Sequence, residues 1–440
     1  MKKHIVATWA ILFTLIFELN FANAQNEKNI ELSTKYFNQL DSICKADNGK
    51  LWGINLYGPT MFVVAENKQI YANMQANNNS LSSDNKIFTG KLPENINLAN
   101  TSFKWDGEMW TMVLWNAIPE NDQYERNKLL IHESWHRIQD QLGIPAVLSQ
   151  NTHLDQLKGS TLLKLELTVL KQALLASKDS NIKASLNDAL TIRKYRQLLF
   201  PSNNENQFER HEGMAEYTGY KLCGLSDDIV RMILAKKTDS WIDKDGLTNS
   251  FAYITGPAYG FLFDKLNIEW LPLIKTGKSV PEIGISITNT QIENDTTILG
   301  IKVKNIINRY NAEQLVKNET NKFELQKQLI VKYKETILNG NQLRIPNNNI
   351  NFSYNPQEPL IPIDSIGVVY KTMRLVSNWG ILEVRNGILR TNNWKAFIIN
   401  APKDTSSNKI EEVNYTLTLN ENWKLIKVKE GIFTIKENPF

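Results

Sequence analysis

The chain has 440 residues, 42% hydrophobic and 22% charged, with a formal net charge of +4, which is the profile of an ordinary globular protein and excludes a disordered or collagen-like one. The basic residues are spread evenly, so neither nucleic acid nor a membrane surface is implied as a partner. Histidine (five) and cysteine (two) are scarce enough to be weighed one by one.

The first 24 residues read as a Sec-type signal peptide. Lys2 and Lys3 precede an apolar run from Ile5 to Phe17, and Ala22-Asn23-Ala24 forms a small-residue cleavage site before Gln25. No cysteine follows that site, which argues against a lipid anchor, and no later stretch approaches roughly 18 uninterrupted apolar residues. The expectation is therefore an exported protein, periplasmic or extracellular, with no integral membrane segment in the mature chain. Loss of Lys2, Lys3 and Glu18 leaves a net charge of +3. A mature chain of about 416 residues predicts two or three domains.

Residues 28–47 carry an approximate helical stripe of Ile30, Tyr36, Phe37, Leu40 and Ile43. Strands and turns follow from Leu51 to Asn73, then a polar Asn/Ser-rich loop at 76–85. "FKWDGEMWTMVLW" at 103–115 has a hairpin signature, with Asp106-Gly107 between two aromatic-rich runs. Trp105, Trp110 and Trp115 read as sheet core before substrate platform. From 123 to about 275 the pattern is mainly helical, with a helical hairpin at 154–200 that ends at Pro201. Further helices are expected at 297–311 and 312–338, and the sequence turns strand-rich from 341 to 440. Cys44 and Cys223 read as buried free thiols, with a disulfide as the alternative in an oxidising compartment.

The segment "LLIHESWHRIQDQLG" (129–143) contains an H-E-x-x-H pattern. Residues four apart share a helix face, so His132 and His136 can reach one metal ion, and Glu133 can take a proton from the water it binds. Ile131, Trp135, Ile138 and Leu142 form the core-facing stripe, which leaves the histidines free, and Gly143 and Pro145 stop the helix. The alternative is a chance pair on an ordinary amphipathic helix.

Zinc in a catalytic site takes three protein ligands. "FERHEGMAEYTGYKLCG" (208–224) is the donor segment expected to supply the third, with Glu209, Glu212 and Glu216 on one helix face and Gly213 and Ala215 small enough for close packing. Glu212 is the chosen ligand and Glu216 an acceptor for a histidine N–H. The competing reading is a solvated acidic face, and His211 is an alternative ligand. His153 reads as a loop or helix-cap residue.

"HESWH" together with "EGMAEY" resembles the gluzincin metallopeptidases, the group containing thermolysin and the aminopeptidase N family. The resemblance spans roughly residues 100–267. It implies Glu212 as third ligand, Glu216 as the following carboxylate, and, through a Y-x-x-G pattern, Tyr253 with Gly256 as stabiliser of the tetrahedral intermediate; Tyr259 is the nearest competitor. It also implies that the strand 109–115 lies at a sheet edge and aligns the substrate. The chain departs from the group in three ways: a 75-residue gap from His136 to Glu212, His211 in place of the usual Asn, and no G-x-M-E-N-type exopeptidase segment.

The expected fold class is α+β. A zincin-like catalytic domain, made of a small sheet (25–122) and a helical zinc-binding part (123–340) with its hairpin insertion, precedes a C-terminal β-domain (341–440). The expected function is a zinc-dependent metallopeptidase that binds one Zn²⁺ through His132, His136 and Glu212, with Glu133 and Tyr253 catalytic and a peptide or protein as substrate. The C-terminal domain is a candidate for partner or glycan binding. Two rival readings are a catalytically silent binding protein on a peptidase-like scaffold and a zinc hydrolase of a non-peptide substrate.

Overall fold

The turn at Asp106-Gly107 sets the register of the first sheet. Both residues have positive φ, 49° and 88°, as a two-residue type I′ hairpin requires. Trp105 thereby sits opposite Glu108, and strand β5 (Thr101–Trp105) runs antiparallel to β6 (Glu108–Leu114). The computed structural model describes residues 2–84, 86–289, 291–355, 358 and 360–437, without the side chains of 2–23 and 84. The expected signal segment thus has almost all its side chains outside the described residues.

Helix α1 (Lys2–Asp47) leads into the strands β1 (Thr60–Val63), β2 (Gln69–Ala72), β3 (Ser82–Asp84) and β4 (Ile87–Lys91), which join the hairpin in the order β3-β4-β2-β1-β6-β5. Every pairing is antiparallel except β1 with β6. This corrects the expected edge strand. Residues 109–115 carry β6, whose main chain is bonded on both sides, and the edge strand is β5. Side chains alternate across the sheet. Phe62, Tyr71 and Val113 face the helical core, whereas Met61, Ile70, Trp110 and Met112 build a separate apolar layer on the other face.

The helical part comprises α2 (Gln123–Ile138), the hairpin α3 (Leu157–Leu175) and α4 (Asp179–Leu199), and a one-turn α5 (Glu205–Phe208). That turn passes through a π-helical turn (Glu209–Gly213) into α6 (Met214–Leu222). Then follow α7 (Asp227–Asp243), α8 (Ala252–Lys265), α9 (Leu271–Lys275), α10 (Val280–Thr288), α11 (Thr296–Arg309) and α12 (Glu313–Tyr333). Cys44 and Cys223 are separate buried thiols. No helix among the described residues is long and apolar enough to cross a membrane.

The chain divides into two compact units at Val316/Lys317, ahead of the 340/341 boundary expected. The reason is that Ile330, Tyr333 and Ile337, at the end of α12 and just beyond it, pack on Ile363, Val369, Leu389 and Ile398. The rest of that unit is two sheets around an apolar layer containing Leu343, Leu375, Leu382, Phe397 and Leu417. One sheet runs Trp423–Lys429, Ile432–Glu437, Gln342–Pro346, Ala396–Asn400, Ile388–Thr391, Gly367–Tyr370, Ile361–Ile363. The other runs Lys409–Glu411, Tyr415–Leu419, Gly380–Val384, Met373–Ser377, Asn351–Tyr354. The architecture is mixed helix and sheet, with an all-β C-terminal region.

Candidate metal centre

Helix α2 begins at Asp122, whose carboxylate accepts from the backbone N–H groups of Tyr124 and Glu125, a standard N-cap. It ends in a short 3₁₀ turn closed by Gly143, with φ of 70°. Ile131, Trp135, Ile138 and Leu142 are buried in the core, as the apolar stripe predicts. Helix α6 lies against α2. The approach is close because position 219 is glycine: a Cβ there would come within 2.6 Å of the Lys128 carbonyl oxygen.

His132, His136 and Glu212 converge, with one ligand atom from each lying within 4.8 Å of the others. The two Nε2 atoms are 3.1 Å apart, and Glu212 Oε2 is 3.7 Å from His132 Nε2 and 3.5 Å from His136 Nε2. Ligands on a tetrahedral ion with bonds of about 2.0–2.1 Å are separated by about 3.3 Å, so the triangle has the dimensions of three corners of such a site. Glu212 projects from the π-helical turn, a local widening that recurs at functional sites.

The far side of each imidazole is occupied. His132 Nδ1 lies 2.9 Å from Glu216 Oε2, and His136 Nδ1 lies 2.8 Å from Gln139 Oε1. Lys128 Nζ donates to the other Glu216 oxygen at 2.8 Å. Burial would raise the Glu216 carboxyl, but His132 and Lys128 outweigh it and hold it at about 2. With an acceptor at each Nδ1, a proton belongs there, and the two Nε2 atoms face one another and a carboxylate across a point that favours a cation, either a proton on His132 or a metal ion. That donor set fits a cation.

The electrostatics agree. Burial alone would lower His132, yet the carboxylates of Glu212 and Glu216 hold it up at about 10. A field that favours a proton on this ring favours any cation at the same nitrogen. Burial would likewise raise Glu212, but His132 and His136 keep it well below the usual carboxylate range. Glu133 behaves differently: burial pushes its carboxyl up, and the two histidines only partly offset this. It accepts no hydrogen bond from the described residues and lines the same cavity as the triad.

Tyr253 is also at this site. Its ring stacks on His132, with centroids 5.6 Å apart and planes 5° from parallel, and its hydroxyl donates to Glu212 Oε2 at 2.6 Å. Burial, reinforced by Glu212, pushes the phenol far above its ordinary value, so it remains a donor. Its helix can come this near because Gly256 meets Gly213 on the π turn: a Cβ on Gly256 would lie 2.4 Å from the Gly213 Cα. Tyr259, by contrast, is buried elsewhere and donates to Glu166 at 2.8 Å.

His211 lies outside the triad, edge-on to His136 at 5.0 Å, with Nδ1 3.2 Å from the Val147 carbonyl. Glu209 is not a solvated acidic residue, because it is buried in a two-pronged pair with Arg193. His153 is the buried partner of Glu205, at 2.7 Å. Trp105 and Trp110 pack edge to face, and Trp115 packs on Phe62 and Tyr71; all three belong to the sheet's packing. Sequence reasoning missed Gln139 and Lys128, although each is one helical turn from a histidine it serves, directly or through Glu216. It also missed Ser102, whose Oγ donates to the His136 carbonyl at 3.0 Å and ties β5 to α2.

The triad, Glu133 and Tyr253 share one cavity of about 190 Å³, bordered by Thr101 and Ser102 of β5. Helices α3 and α4 contribute nothing to its lining. They hold the ligand-bearing segment from behind, through a buried network of Arg193 with Glu166 and Glu209, and Arg196 with Glu166 and Glu205. No protein-family model, curated protein or solved structure matches the chain.

Proposed function

We propose that the chain is an exported zinc-dependent metallopeptidase of gluzincin type, in which His132, His136 and Glu212 hold one Zn²⁺ and Glu133 is the general base. The observation that carries this reading is the convergence of two Nε2 atoms and one carboxylate oxygen, each imidazole having an acceptor at its Nδ1, beside a second carboxylate with no hydrogen-bond partner among the described residues. A zinc ion held there supplies a Lewis acid that polarises a carbonyl and makes water easier to deprotonate.

The protein's own groups perform the rest. Glu133, raised by burial, takes the proton of the attacking water and returns it to the leaving amine. Tyr253 gives up its bond to Glu212 and donates to the developing oxyanion. Lys128, Glu216 and Gln139 keep both imidazoles in the tautomer that leaves Nε2 free. An extended substrate adds to the free edge of β5, beside the cavity, by main-chain hydrogen bonds.

The test is hydrolysis of a quenched-fluorescent peptide library by the zinc-loaded protein and its Glu133→Gln variant. Cleavage by the wild type that the variant loses, with metal content and melting temperature unchanged, supports the reading. Equal cleavage by both, or none by a wild type that holds its zinc, refutes it.

A further inference from the structure

A second cavity, of about 440 Å³, lies between α4, the Asn206–Arg210 stretch and α10, and shares no residue with the metal centre. Leu190, Pro281 and Ile285 give it an apolar wall. Lys194 and Arg210 give it positive charge. Lys194 has no acidic partner among the described residues. Arg210 donates through Nη2 to the Ile274 carbonyl at 3.0 Å and its Nε is buried without a partner; Glu282 acts on it through space, with no hydrogen bond between the two among the described residues. The one acidic lining residue, Glu282, is already committed: its Oε2 accepts from the backbone N–H and hydroxyl of Ser279, 2.7 and 2.6 Å away, in the capping box of α10. Two cations against one carboxylate leave the cavity with a single net positive charge.

We propose that this cavity binds a small monocarboxylate carrying a branched or linear apolar body, the chemistry shared by a peptide's C-terminal residue and a short fatty acid. A guanidinium with one Nη–H bond to a carbonyl and an Nε–H without a partner suits a carboxylate, which a guanidinium can engage with two parallel bonds. The apolar wall suits the body of such a molecule and not a bare inorganic anion, and the net charge of one matches a monoanion better than a phosphate dianion. The size falls within the usual range of small-molecule pockets, about 300–1,000 Å³. The inference does not depend on the metallopeptidase reading, since no group of the metal centre enters it.

Calorimetric titration of the full chain at fixed ionic strength tests it, with N-acetyl-leucine, N-acetyl-leucinamide and octanoate as probes. At least one carboxylate should bind saturably at one site per chain, and the amide at least tenfold more weakly. Lys194→Met, at a half-buried position of α4, should weaken the carboxylate at least tenfold while leaving the circular dichroism spectrum unchanged, and Arg210→Met should do the same. Binding should persist in Glu212→Ala, which distinguishes this cavity from the metal centre. The tighter of the two carboxylates identifies the source. Equal affinity for N-acetyl-leucine and its amide, undiminished carboxylate binding in Lys194→Met, or no saturable binding overturns the proposal.

Discussion

The Nε2 atoms of His132 and His136 lie 3.1 Å apart while both Nδ1 atoms already face acceptors. With Nδ1 committed in both rings, the two Nε2 atoms can meet only across a shared cation, a second proton on His132 or a metal ion. Glu216 is what holds the Nδ1 proton on His132 and leaves its Nε2 for that cation. Glu216→Gln should therefore retain the fold and weaken zinc binding by about 10–100-fold. Competition with a calibrated chelator measures this, and unchanged affinity would remove Glu216 from the account.

The contact between Gly213 and Gly256 joins the third ligand to the tyrosine that bonds it. A Cβ at 256 would meet backbone at 2.4 Å, and backbone cannot rotate aside as a flexible side chain can. Gly256→Ala should cost about 1–3 kcal/mol of stability, the usual price of overpacking a tight core. It should also weaken zinc binding, because it pushes α8 off the π turn. A denaturant melt and the same chelator competition check the two effects together. A variant with wild-type values of both would show that the close approach is dispensable.

The network behind the ligand segment predicts a pH dependence. Burial would raise Glu205, but Arg196 outweighs it and holds the carboxyl far below its ordinary value of 4.5. A carboxyl lowered by folding contributes stability that is fully present above its unfolded value and is lost as pH falls through its folded one. Arg196→Met leaves buried carboxylates without their partner and should cost about 3–5 kcal/mol at neutral pH. The gap to wild type should narrow as pH falls. Burial without Arg196 raises Glu205 in the variant, so it takes up a proton above about 4.5. Below about 4.5 the wild type's advantage shrinks as the unfolded carboxyl takes up a proton while the folded pair stays ionised. Chemical denaturation at pH 7 and pH 4 measures both numbers. A gap that stays constant with pH would contradict the assignment.

Much of the site is legible in the sequence because its logic is local. A four-residue spacing puts His132 and His136 on one helix face, and the stripe through Ile131, Trp135 and Ile138 accounts for the core without them. Glu212 and Glu216 are likewise one helical turn apart, so that choosing one as ligand makes the other its neighbour. Properties set by distant pairing are not legible in this way. The resemblance makes strand β6 an edge, but β1, whose residues pair with partners 51 positions later, bonds along its other side in parallel, and nothing local signals that pairing. Glu209 reads as a member of the donor segment, with a solvated face as the alternative, because its partner, Arg193, lies in a separate helix that the pattern treats as an insertion. The early start of the C-terminal unit is hidden for the same reason, since α12 looks like any amphipathic helix until its last turn meets a sheet.

Unlike Glu212 and Glu216, Glu133 has no hydrogen-bond partner among the described residues, and that separates binding from chemistry. Glu133→Gln should keep the metal and lower peptide hydrolysis by at least about 10²-fold, the low end of what a positioned general base contributes. Loss of zinc in that variant would make Glu133 part of the binding shell and leave the site without a base.

We propose that His132 and His136 of α2 and Glu212 of the π turn, with 75 residues between His136 and Glu212, hold one metal ion, and elemental analysis tests this most directly. The purified wild-type protein, dialysed against buffer containing trace zinc, should carry about one zinc per chain, and Glu212→Ala prepared in parallel should carry almost none. A wild type without stoichiometric metal, or a Glu212→Ala variant that retains it, would contradict the account.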